Sequence, residues 1–104
     1  MSYTVLESAA ASRDIDRAVS YMADTLKSPT AAKRFIGEYE RAVSLLEATP
    51  LTFPLVRDDL LAFSGYRWIS AGDYMLFFTV DEDHEDVNVE RVAHSSQNWM
   101  QLLR

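Results

Sequence analysis

A chain of 104 residues, 48% hydrophobic and 25% charged, has the size and make-up of one globular unit, and residues 1–104 are read as a single domain. Sixteen carboxylates against 10 lysines and arginines give a net charge of -6, which argues against a tight, sequence-independent grip on a phosphate backbone, since that affinity comes from many cationic contacts. Without cysteine there are no disulfides, thiolate nucleophiles or cysteine metal sites, and no apolar run approaches the ~20 residues of a membrane span.

In chain order, SYTVLES (2–8) is β-prone through Tyr3 and Val5 and reads as a first strand. Ser8 or Ser12 can cap a helix whose positive end Asp14 and Asp16 favour, and Ile15, Val19, Met22 and Leu26 then fall on one stripe. Ser28 and Pro29 restart the pattern as N-cap and first helical residue. Phe35, Tyr39, Val43 and Leu46 form a second stripe that Pro50 stops, so the two helices are expected to make an antiparallel hairpin. Residues 49–65 hold two prolines and no sustained period, and read as an ordered connection pinned by its apolar residues.

Beyond it the period changes to two. YRWIS (66–70), YMLFFTV (74–80) and VNVERVAH (87–94) read as strands, with Gly72-Asp73 as the hairpin turn between the first two and DEDHED between the second and third. The tail SSQNWMQLL can form a short helix that docks through Trp99, Leu102 and Leu103. Helices followed by strands imply an α+β domain in which the helical hairpin covers one face of a small antiparallel sheet and the other face stays largely open.

Several residues carry two readings. Arg67 and Arg91 can bind a target, or their stems can cover apolar sheet. Arg91 is in phase with Val87 and Val89, so it shares their face, paired with a carboxylate, unless a bulge intervenes. His94 can act as an acid or base where a substrate oxygen comes within reach, or it can be a satisfied strand-end histidine. Trp68 and Trp99 can stack on a base or anchor the core, and Ser95 or Ser96 can cap the last helix. DEDHED lacks the glycine and distal glutamate of a calcium loop and reads as a solvated turn; no metal or cofactor is expected.

The order of elements, with GYRWISAGDYMLFFTVDED and VNVERVAHSSQNWMQLL, resembles the RelE/ParE superfamily, the toxin halves of type II toxin–antitoxin pairs, over nearly the whole chain. That resemblance implies a RelE-like fold, a cognate antitoxin as partner, a cytoplasmic location and a role in growth regulation or plasmid stabilisation. RelE-like members resemble ribosome-dependent messenger ribonucleases that use a basic cluster and a tyrosine; ParE-like members poison DNA gyrase. Here Tyr74 is followed by Met75, Ser95 follows the last strand, and Gln101 stands at the late tyrosine position, so only Arg67 matches a basic site. The expectation is therefore a ParE-like gyrase inhibitor, with Arg57, Arg67, Arg91, His94, Gln97 and Trp99 as target-binding residues. Two alternatives remain: a YafQ-like endoribonuclease acting on ribosome-bound message through His94, Arg67 and Arg91, and an inactive relative that only binds antitoxin.

Overall fold

In the computed structural model, which describes residues 2–104, the chain opens with β1 (Thr4–Glu7) and turns at Ser8 into α1 (Ala9–Ser20). Ser8 is the cap: its hydroxyl oxygen accepts from the Ala11 N–H at 2.9 Å and donates to the Glu90 carbonyl at 2.7 Å, so one side chain starts the helix and ties it to the sheet. Asp14 and Asp16 lie beyond the first turn and do not serve its dipole. Past Ser20 the helix widens into a π turn, Tyr21–Thr25. Ile15, Val19 and Met22 keep the inward stripe, but the extra residue of the π turn rotates Leu26 outward, where it is 53% exposed.

Lys27 takes a positive φ of 51°, after which Ser28 caps α2 (Pro29–Ala48) with Pro29 in its first turn. Ala32, Phe35, Ala42 and Leu46 are buried, and Tyr39 packs beside them. The Tyr39 hydroxyl donates to Glu7, whose other carboxylate oxygen accepts from Ser12 at 2.9 Å, which joins β1, α1 and α2. Burial first, and then this bond, pushes the Tyr39 phenol well above its usual range.

The connection contains elements that its sequence does not announce. A 3₁₀ turn (Pro50–Thr52) follows α2, and α3 (Asp59–Phe63) is capped by Asp58, whose carboxylate accepts from the N–H groups of Leu60 and Leu61. Only part of its apolar content pins it down. Val56 and Leu61 are buried, whereas Leu51, Leu55, Leu60 and Phe63 face solvent.

The sheet runs β1-β4-β3-β2, with β2 Arg67–Ala71, β3 Tyr74–Asp81 and β4 Asp86–His94. The last three strands are antiparallel, as expected, but β1 pairs parallel to β4, so the sheet is mixed. Gly72, at φ 60°, makes the β2–β3 turn. A bulge lies opposite Phe77 and Phe78: Phe77 pairs with Arg91 and Phe78 with Val89, leaving Glu90 as the extra residue. It also shifts the phase, so that Val87, Val89 and Val92 all join the core under the helices.

The second face is not open. Phe77 and Ala93 are buried there with Val56 and Leu61, under a cover of Trp68, Leu102, Leu103 and Trp99 from α4 (Trp99–Leu103). Phe77 and the Trp99 ring stack at 5.2 Å between centroids, 25° from parallel. Neither Ser95 nor Ser96 caps this helix, which begins after Asn98. Among the described residues no helix is long and apolar enough to cross a membrane.

Candidate functional site

His94 ends β4 beside the β2–β3 turn, where the Ser95 N–H donates to the Asp73 carbonyl at 2.8 Å. The Ser96 N–H donates to His94 Nδ1 at 3.1 Å, so that nitrogen presents its lone pair and the proton of the neutral ring sits on Nε2. Gln97 folds back and its Oε1 accepts from the His94 main-chain N–H at 2.8 Å. The imidazole stands edge-on to Tyr74 with centroids 5.2 Å apart, and Tyr74 in turn leans on Phe35 at 4.7 Å.

Together these rings wall a groove of about 430 Å³ between the helical hairpin and the β2–β3 turn, with Tyr21, Arg34 and Glu38 on its other sides. Burial, then the neighbouring Tyr21 phenol and Asp73 carboxylate, raise the Tyr74 phenol, which holds it as a hydrogen-bond donor rather than a base. The Glu38 carboxylate lies against Gly72, and the turn calls for glycine through its positive φ of 60°, since the carboxylate tip is free to move. Arg34, Glu38 and Tyr21 were not singled out by the sequence. They lie on the outward faces of their helical segments, and only the fold brings them to the end of β4.

The arginines expected at the site are occupied elsewhere. Arg91 donates from Nε and Nη2 to Asp14 at 2.7 and 3.0 Å, and from Nη1 to the Leu102 carbonyl at 3.4 Å. Asp14 also accepts from the Val92 N–H at 3.0 Å, beyond the point where β1 stops, so its carboxylate, 8% exposed, seals the edge of β4. The pairing raises the Arg91 pKa and keeps it charged. The bulge therefore matters: Arg91 lies opposite Phe77, away from the face of Val87 and Val89, and it is still paired with a carboxylate.

Arg67 donates from Nη1 to the Phe53 carbonyl at 2.6 Å and closes the 3₁₀ turn. It pairs with Phe78 while His94 pairs with Tyr74, so the two are separated by about 13 Å along β3, at ~3.3 Å per residue. Arg57 is exposed just before α3, and Trp99 is a packing anchor stacked on Phe77. The structure thus brings His94 and Gln97 together, places Arg91 and Gln97 around one neighbouring groove of about 230 Å³, and leaves Arg57, Arg67 and Trp99 apart from His94.

A family model described as the ParE toxin of type II toxin–antitoxin systems matches residues 5–99. The chain belongs to this family. Among solved structures, it is similar to the toxin–antitoxin complex RelBE2 from Mycobacterium tuberculosis, at 26% identity and TM-score 0.62, over 90% of this chain and 99% of the matched one. It also resembles in fold the chromosomal ParDE system from P. aeruginosa, at 15% identity and TM-score 0.67 (88% and 95% covered), and the E. coli DinJ-YafQ complex, at 14% and 0.59 (92% and 96% covered). No curated protein matches the chain. This toxin family member is accordingly an α+β protein of RelE-like fold, and its similar structures include both ParE-named and RelE- or YafQ-named complexes.

Proposed function

We propose that this toxin arrests growth by binding DNA gyrase and that a co-encoded antitoxin neutralises it. The observation that carries the reading is the commitment of Arg67 and Arg91 to internal contacts, with the Phe53 carbonyl and with Asp14. Metal-free RNA cleavage needs groups that activate the 2′-hydroxyl, stabilise charge on phosphate and protonate the leaving oxygen; each acid or base contributes ~10²–10⁴-fold, and only when it reaches the reacting atoms. A binding role asks only for a surface. His94, Gln97 and the groove beside Tyr74 provide one, with exposed Arg57 as a separate cationic contact. The antitoxin reading is supported by family membership and by relatives whose structures are complexes with antitoxins.

One observation favours a second reading: Arg34 and His94 line the same groove, a cation and an imidazole that an endoribonuclease acting on ribosome-bound message could use. Controlled expression of the chain separates the two, with supercoiling by purified gyrase and messenger integrity in a translation extract as readouts. Blocked supercoiling with intact messenger is expected. Cleavage abolished by His94→Ala and by Arg34→Ala would establish the ribonuclease instead, and antitoxin binding with neither effect would mark an inactive relative.

A further inference from the structure

The most exposed apolar surface lies away from His94, on α3. Leu60 and Phe63, three residues apart on one face of that helix, are 65% and 90% exposed, while Leu61 on the opposite side is buried and fixes the helix to the sheet. An exposed pair of this size forgoes the ~1.5–3 kcal/mol that burying each side chain would contribute, and such patches mark interaction surfaces. Beside it, between α3 and α4, runs an open groove of about 770 Å³.

Its walls are apolar, from Leu60, Leu61 and Leu103, but its floor is not. The bulge that sets Glu90 outside the regular pairing of β4 places its carboxylate beside Thr79, whose hydroxyl donates to Oε2 at 3.3 Å. Oε1 has no donor among the described residues. Burial and the Glu90 charge raise the Tyr66 phenol on the same floor, so Tyr66 stays a neutral donor. The cation at the rim, Arg104, is drawn the other way, to Asp58 at 2.6 Å. The Glu90 main chain is held as well, since its carbonyl accepts from Ser8.

We infer that the groove between α3 and α4 is a docking site for a protein segment that lays apolar side chains against Leu60 and Phe63 and directs one arginine or lysine to Glu90. An arginine or lysine has an aliphatic stem for the leucine walls and a charged head for the free carboxylate oxygen. The net charge of -6 favours the same sign of partner at longer range.

The test titrates the ¹⁵N-labelled chain with the capped tripeptide acetyl-Leu-Arg-Leu-amide. Amide shifts are expected to cluster at Leu60, Phe63, Tyr66, Thr79, Glu90 and Leu103. Binding should weaken about tenfold with acetyl-Leu-Gln-Leu-amide or with Glu90→Gln, and by a similar factor with Phe63→Ser, whose exposed site leaves folding intact. Glu90→Lys should reverse the preference, in favour of acetyl-Leu-Glu-Leu-amide. Shifts centred on the 81–86 turn, or an affinity indifferent to Glu90 and Phe63, would overturn the inference. Because the assay uses neither gyrase nor growth arrest, its failure leaves the functional reading above untouched, and failure of the gyrase assay leaves this one untouched.

Discussion

The two faces of the sheet are built differently. Under α1 and α2, Leu76, Phe78, Val87 and Val89 are fully buried against two long helices that carry Phe35 and Leu46. On the opposite face, Phe77 and Ala93 are buried by two five-residue helices together with Trp68 of β2, and the covering Trp68, Trp99, Leu102 and Leu103 are only partly shielded. Helices that short do not persist alone, so their order depends on a few anchors: the Trp99–Phe77 stack, the Arg91–Leu102 bond and the Arg104–Asp58 pair. The first face holds the fold. The second combines packing with display, and it is where Leu60 and Phe63 stand in solvent.

The largest effect should come from attacking the first face. Phe78→Ala is expected to cost about 3–5 kcal/mol in urea unfolding, while Trp99→Ala, at a half-buried and stacked site, should cost about 1–2 kcal/mol and release α4 without opening the sheet. Equal losses would erase the distinction between the faces. Asp14→Ala probes the seam between them, because it leaves Arg91 unpaired and the Val92 N–H uncapped; a loss of about 3 kcal/mol is expected, with faster amide exchange at Val92.

Acid should loosen the second face first. The Arg104 side chain, helped by the N–H groups of Leu61 and Leu60 and opposed by desolvation, holds the Asp58 carboxyl below its usual range. A folded pKa lower than the unfolded one means that the contribution is complete above the ordinary carboxylate range and disappears as pH falls below about 4, through the folded value. Amide shifts of Leu102 and Leu103 should follow that titration, and Asp58→Asn should remove it from their profile.

Much of the first face was readable in the chain. Ser8, Ser28 and Pro29 mark helix starts by local chemistry, and the β2–β3 turn and most of the two stripes follow from glycine placement and period, although Leu26 and Val43 fall outside the core. What escaped depends on distance or brevity. A five-residue helix with one buried side chain, Leu61, has no period to detect. The parallel pairing of β1 and the cover on the second face are long-range choices invisible to local pattern, as is the duty of Asp14, 78 residues before the N–H it caps. Of the residues lining the groove beside Tyr74, residue type had singled out only His94, whereas Arg34, Glu38 and Tyr21 reach it from the helical hairpin. Arg67 and Arg91 illustrate the limit of that method: a carboxylate partner for Arg91 was expected, but neither its identity as Asp14 nor the Phe53 carbonyl that holds Arg67 was visible.

The parallel partnership of β1 with β4 has a further consequence during synthesis. The first strand emerges with nothing to pair with, since its partners, from Asp86 to Val89, follow about 80 residues later in the chain. Until then Val5 and the seam at Ser8 wait for the Val89 and Glu90 carbonyls, and the groove beside His94 lacks its closing wall. The order of assembly during synthesis is thereby fixed: β1 can join the sheet, and Ser8 can close its seam, only after β4 has emerged.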